Sequence, residues 1–548
     1  MSKRIAWSGT ALLLIGLWGC SSAPSESVDI LYFNGTIITA DAKFSVANSL
    51  AVTGERIVAV GDDQTRALRP KQTVDLQGAT MLPGFIDTHT HIEGQPERYI
   101  DLTEVGSIEQ MQAAVATKAA ALAKGEWITG YGWSEDSLTE GRKPNRADLD
   151  HAAPDHPVVL TRAGAHSAVA NSAALIAAGL TAVSPDPDQG MLEREADGTL
   201  TGIIRERQDL LLDLVPEAEA SEVRASLLTN LQAQFSLGIT SIVQAMSDPQ
   251  KFERWEELYS SYRGQLPRAA MQVSWEHAQA LSSEGKRSGT GDEHFRIGAV
   301  KVFVDGGFTG PAAYTKEPYK GESSYRGSLT QPEADFARLF EDAHRAGWQL
   351  GLHAIGDAAI ELSVAQLSQI IEQYPRSDHR HYLNHFTIMP SADTMRSMAS
   401  HEIHITQQPN FTYTLEGRYR DYLDGERLST NNPLRSPMDH GVHLALSSDI
   451  LPMGPMLGIY AAVSRKGASG TVYAADEALS VAEAIQGYTL NGALLTFEER
   501  DKGSLEVGKF ADFVILEANP MSVSEAQLKT LRVLQTWLGG RRVYVRAE

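Results

Sequence analysis

His89 and His91 stand one residue apart at the end of the nine-residue run PGFIDTHTH, Pro83 to His91, which approaches them as a strand would. Alternate residues on a strand point to the same side, so both imidazoles can reach one cation. Neutral imidazole is the commonest metal ligand, and a pair this close leaves the other coordination positions to residues distant in sequence. The plainer reading is two unrelated surface histidines. The strand-like approach, Gly84 ahead of it and Asp87 inside it favour a metal.

The same run resembles the first-strand signature of the amidohydrolase superfamily, in which a (β/α)8 barrel presents two histidines from strand 1 to a catalytic metal centre. The resemblance implies further ligands on strands 4, 5, 6 and 8, and each has a counterpart in chain order. Arg296 to Gly307, RIGAVKVFVDGG, is a β-branched and apolar segment that carries Lys301 and runs into a glycine-rich loop. Trp348 to Asp357, WQLGLHAIGD, carries His353, and Arg380 to Met389, RHYLNHFTIM, carries His385. His443 to Asp449, HLALSSD, ends in a carboxylate. Taken singly, a lysine near a strand end is usually solvated, and a histidine or aspartate there is usually a cap or turn residue. Their order, and the helical stretches between them, make them a set.

The resemblance assigns His89, His91 and Asp449 to a first divalent ion and His353 and His385 to a second, with a carbamate formed on Lys301 bridging both. One or two ions per chain follow, with zinc suited to such ligands. A bound divalent ion lowers the pKa of its water from 15.7 towards about 7 and polarises a carbonyl oxygen, and two ions ~3.5–4 Å apart can share the hydroxide. Asp449 then takes the nucleophile's proton and passes it to the leaving nitrogen. Asp87, two residues before His89, is expected to be structural or to support the ligands. The implied activity is hydrolysis of a non-peptide C–N bond, an amide or N-acyl or N-formyl bond of a small molecule. A deaminase of the same superfamily is the alternative, but His353 is followed by AIGD without the glutamate that branch uses. A non-catalytic surface lipoprotein that keeps the barrel as a binding scaffold is the other.

The fold class expected is α/β: a (β/α)8 TIM-type barrel over 83–499, with an insertion at about 100–235 after the first strand, and a small β-sandwich built from 28–82 and 500–548. Eight strand candidates support the barrel: 83–91, 239–246, 268–275, 297–305, 349–355, 380–386, 403–409 and 443–449, the last seven separated by stretches long enough for helices. The stretch from His91 to Ile239 exceeds what one βα unit needs. Two of its segments, Gly125 to Asp136 and Val158 to Leu175, resemble the amidohydrolase 3 branch, which includes N-substituted formamide deformylases. His166 and Asn171 match a Gly-His-Ser…Asn-Ser-x-Ala-Leu pattern of that branch, with Ala165 in place of glycine. Their structural reading is a buried, hydrogen-bonded histidine and a helix N-cap. Trp127, Tyr131, Trp133, Arg162 and His166 are candidates to line the pocket, the aromatics favouring an apolar substituent and Arg162 holding a carboxylate or carbonyl oxygen. Gly306, Gly307 and Gly310 make the loop after strand 4 permissive.

With 548 residues the chain is long enough for two or three domains, and 42% hydrophobic with 21% charged residues is ordinary globular composition. A formal net charge of −21 argues against a basic surface for nucleic acid or anionic lipid. The N-terminus, Lys3 and Arg4 followed by the apolar stretch Thr10 to Trp18, reads as an export signal over 1–19. Leu17 to Cys20 resembles a bacterial lipoprotein cleavage box, which makes Cys20 the lipidation site and 20–27 a flexible tether. The expected location is the outer membrane, facing the periplasm, with membrane contact through the lipid alone. Cys20 is the sole cysteine, so the mature chain forms no internal disulfide.

Overall fold

The computed structural model describes residues 27–547 apart from 104, 136, 164–166, 189, 309–310 and 451–452; Cys20, most of the expected tether, His166 and Gly310 lie outside the described residues. Eight parallel strands form the central sheet: strand 1 (Phe85–Thr90), strand 2 (Ile239–Gln244), strand 3 (Arg268–Val273), strand 4 (Phe295–Phe303), strand 5 (Leu350–Ala354), strand 6 (Tyr382–His385), strand 7 (His404–Gln407) and strand 8 (Leu444–Leu446). All eight expected segments are strands. A parallel bridge from Thr90 to Asp449, with Asp449 N donating to His89 O at 2.8 Å, joins the first and last strands and closes the barrel. Strand 1 is buried throughout although four of its six residues are polar, because a barrel covers both faces of its strands. Gly84 makes this packing possible: a Cβ there would meet the Thr240 side chain of strand 2 at 2.2 Å.

The outer ring consists of amphipathic helices. Pro249–Ser261 follows strand 2 with Pro249 in its first turn and Asp248 capping it, the carboxylate accepting from Lys251 N at 2.7 Å. Glu333–Arg345 follows strand 4 and turns Phe336, Phe340 and Ala343 inward, spaced four and three residues apart as one helical face requires. Asp357–Gln373 and Ala392–Ser400 follow strands 5 and 6. The helix Ala220–Ala233 buries Leu227 and Leu231 in the same apolar cluster as the barrel strands. It therefore belongs to the barrel's ring, and the insertion ends before it rather than near residue 235.

The insertion itself is a six-stranded sheet between Tyr99 and Arg205, centred on strands Val158–Arg162 and Ser167–Ala170, with an apolar cluster of its own. Both chain ends merge into a third sheet. Its hydrogen bonding runs continuously through eight strands, and Thr80–Pro83 pairs antiparallel with Phe513–Leu516 where the two ends meet. Tyr32, Leu50, Met81, Phe513 and Trp537 pack in one cluster on it. No helix among the described residues is long and apolar enough to cross a membrane.

Candidate metal centre

Six side chains converge at the C-terminal end of the barrel, where the strand-to-helix loops gather. Strand 1 supplies His89, and His91 follows directly after it. Strand 4 supplies Lys301, strand 5 His353, strand 6 His385, and the turn after strand 8 supplies Asp449. Asp449 Oδ1 lies 3.2 Å from His91 Nε2 and 3.7 Å from His89 Nε2, and Oδ2 lies 3.8 Å from His385 Nδ1. Lys301 Nζ is 3.4 Å from His89 Nε2. The His353 and His385 rings are 4.3 Å apart, centroid to centroid. His89, His385 and Asp449 each offer a ligand atom within 4.8 Å of the others.

The surroundings keep these groups in forms that bind cations. His89 Nδ1 donates to Asn384 Oδ1 at 2.6 Å and His385 Nδ1 donates to Gln408 Oε1 at 2.9 Å, which leaves the lone pair on Nε2 in each ring. Burial, reinforced by the neighbouring cationic side chains, holds His89 and His385 well below the ordinary imidazole range and His353 at about 3, so all three are neutral at physiological pH. Lys301 is only 4% exposed and has no carboxylate within ion-pair distance among the described residues; burial brings its amine down to about 7. Asp449 Oδ1 is buried without a hydrogen-bond partner among the described residues. An orphaned carboxylate oxygen facing neutral imidazoles fits a divalent cation, which would satisfy both.

Two ligand candidates sit on unusual backbone. His385 has φ 77° and Asp449 φ 63°, in the left-handed region that costs a residue with a Cβ about 1–3 kcal/mol and persists where the surroundings over-determine it. Asp87 supplies part of that constraint. Its buried Oδ1 accepts from Ser448 N at 3.0 Å and from His89 N at 3.3 Å, tying the turn after strand 8 to strand 1. Desolvation raises its carboxyl to about 7. Asp305, just past strand 4, accepts from the amides of Tyr314, Ile355 and Gly356 at 2.8–3.1 Å and lies 3.8 Å from His353 Nε2. It locks the loops after strands 4 and 5 together. Gly356 permits this, since a Cβ there would meet Tyr314 O at 1.9 Å.

A cleft of about 960 Å³ opens beside His91 between the barrel mouth and the insertion, with Tyr99, Tyr131, Ile450 and Met453 in its wall. Tyr131 is thus at the pocket, as expected from sequence. Trp133 and Trp127 are not: both are buried in the insertion's own apolar clusters, and Trp133 Nε1 donates to Leu160 O at 2.8 Å. Trp133 therefore holds the insertion together rather than facing a ligand. Arg162 Nε donates to Glu135 at 2.7 Å. Asn171 is the N-cap of Ser172–Ala177 and also donates to Ala153 O and His156 O, the structural role. Asn384, Gln408 and Asp305 were not singled out by sequence.

The amidohydrolase family model matches residues 72–544. The chain belongs to that family. Among curated amidohydrolase relatives it is 32% identical over 491 residues to the putative amidohydrolase YtcJ of Bacillus subtilis (strain 168), covering 86% of this chain and 90% of that one. It is 27% identical to the N-substituted formamide deformylase of Arthrobacter pascens, covering 94% of this chain and 98% of that one. A solved metal-dependent hydrolase from Pyrococcus furiosus aligns with a TM-score of 0.70 at 26% identity, over 90% of this chain and all of that one. The barrel, the family and the ligand-bearing mouth together mark the protein as a metal-dependent hydrolase of the amidohydrolase type.

Proposed function

We propose that this amidohydrolase cleaves a non-peptide C–N bond of a small molecule, an amide of the N-acyl or N-formyl type, giving a carboxylate and an amine. The observation that carries this reading is Lys301, a buried amine with no carboxylate at ion-pair distance among the described residues, set among four imidazoles and beside Asp449, whose Oδ1 has no hydrogen-bond partner among them. The relative from Arthrobacter pascens, which carries the name N-substituted formamide deformylase and aligns over nearly its full length, supports the bond type. His89, His91 and Asp449 would hold one divalent ion, His353 and His385 a second, and Lys301 both. Zinc suits this donor set. Divalent ions held there would make water acidic near neutral pH and polarise a carbonyl oxygen.

The protein's own residues do the rest. In its neutral form the Lys301 amine can attack carbon dioxide, forming an N–C bond and releasing a proton, and the resulting carbamate supplies two anionic oxygens. Asn384 and Gln408 fix which nitrogen of His89 and His385 faces the centre. Asp449 takes the proton from the attacking water and delivers it to the leaving nitrogen as the C–N bond breaks.

Metal analysis of the purified protein should find about two divalent ions per chain, and chelation should abolish activity that added metal restores. Screening against N-formyl, N-acyl and cyclic amides should find turnover to acid and amine; ammonia release from an amino-heterocycle with no amide turnover would point to a deaminase instead. Asp449→Asn should lose more turnover than bound metal. Full activity in that variant would remove Asp449 from proton transfer. The same proposal extends to location: Cys20 carries lipid and tethers the protein to the outer membrane. Cys20→Ser should then move it from the membrane to the soluble fraction or block processing, and unchanged fractionation and processing would overturn this.

A further inference from the structure

Strand 4 has one exposed large apolar side chain. Phe303, its last residue, is 39% exposed, while Val302 before it and Val304 after it are buried in the barrel's apolar cluster. Scattered apolar residues on an outer surface need no explanation, but this ring is not on the outer surface. Alternation along the strand puts it on the same face as Lys301, which is the lumen face. Lys301 Nζ lies 5.0 Å from its ring centroid, and the His353 ring lies 5.2 Å away at 44°. The ring therefore borders the metal centre while part of its apolar surface stays exposed. On the opposite side, Ile450 directly after Asp449 is 40% exposed and lines the cleft with Tyr99, Tyr131 and Met453.

A phenyl ring offers a reactant no proton and no strong dipole. It offers apolar area and a π face, which pack best against another flat apolar group. We infer that Phe303 is a specificity-determining residue that seats an aryl group carried by the substrate, next to the scissile C–N bond. This assignment rests on the C–N hydrolase reading above and narrows it to aryl-substituted amides.

The test compares two N-acyl amines that differ only in carrying a phenyl or a methyl group. The wild-type protein should favour the phenyl substrate in kcat/KM by at least about tenfold, about 1.4 kcal/mol. Phe303→Ala should bring that ratio close to one, chiefly through KM, and Phe303→Leu should fall between. Metal content and melting temperature, measured on each variant, separate a lost seat from a lost fold. A second arm measures, by calorimetry, binding of the phenyl-bearing and methyl-bearing carboxylate products to the metal-loaded protein. Phe303→Ala should erase the difference. An unchanged kcat/KM ratio, or an unchanged binding difference, in a metal-replete Phe303→Ala protein overturns the assignment. If the wild-type protein hydrolyses neither substrate, the C–N reading fails, and the binding arm still decides whether Phe303 seats an aryl group.

Discussion

Buried histidines gather at both ends of this barrel, in opposite chemical circumstances. At the C-terminal end, His89 and His385 each bond through Nδ1 to a side-chain amide and keep Nε2 for the centre. At the other end, His344, His379, His381, His404 and His443 crowd beside the first residues of strands 5 to 8. There the backbone uses the ring nitrogens. Leu350 N donates to His381 Nδ1 at 3.0 Å, so His381 carries its proton on Nε2 and donates to His344 Nδ1 at 2.8 Å; His344 Nε2 then donates to Tyr374 O at 2.8 Å. His379 Nδ1 accepts from His381 N at 3.1 Å. The rings of this cluster are as close as those of the upper one. What separates a ligand set from a structural network is a lone pair left free and aimed at its neighbours, beside a carboxylate without a donor.

The sharpest way to break the comparison is at Lys301, which has no counterpart in the lower cluster. Lys301→Ala should lose bound metal and activity on the order of 10³-fold or more, with partial rescue by small carboxylic acids that occupy the space vacated. Wild-type metal content and rate would leave a one-ion centre built on His89, His91, His353 and Asp449. Next come the amides that orient the rings. Asn384→Ala and Gln408→Ala should each cost about 10–100-fold in metal affinity or activity, read by competition with a chelator; affinity and rate equal to wild type would show that the rings need no such support.

Lower-cluster changes should do the reverse. His381→Phe strands Leu350 N and His344 Nδ1, and should cost about 1–3 kcal/mol of stability in denaturant titrations while leaving metal stoichiometry alone. Metal loss at unchanged stability would make the lower cluster a ligand set after all. The last effect is confined to acid pH. Burial holds His379 at about 4 and His404 at about 3, below the unfolded value of 6.5. Unfolding therefore takes up protons below pH 6.5, so their stabilisation is complete above 6.5 and is lost as pH falls towards those values. Each such histidine contributes a slope of up to about 1.4 kcal/mol per pH unit. His379→Gln should flatten the decline between pH 6.5 and 4, and an unaltered slope would assign the acid sensitivity elsewhere.

The eight barrel strands were legible because most are apolar or β-branched runs of ordinary strand length separated by helix-length stretches, and six chemistry-bearing residues fell near their ends in the expected order. Asn384 was not legible. Neighbours on a strand point to opposite faces, so a residue adjacent to His385 reads as outward-facing. The left-handed backbone at His385 breaks that alternation and lets both side chains turn towards the centre. Gln408 and Asp305 act across strands, through proximity that the pairing of neighbouring barrel strands creates. Trp133 failed for a related reason: an aromatic in an insertion can face the pocket or the insertion's own core, and its sequence does not distinguish the two.

The sheet formed by both chain ends governs the order in which this molecule can be assembled. Thr80–Pro83 takes its antiparallel partner from Phe513–Leu516 and leads, past Gly84 alone, into the strand that bears His89. During synthesis that partner emerges among the last segments, so the edge beside the first histidines stays unpaired until nearly the whole chain is available. Such distant pairing makes folding slow and late. A nascent or truncated chain would expose that edge to proteases and to other copies of itself, well before it could close around a cation.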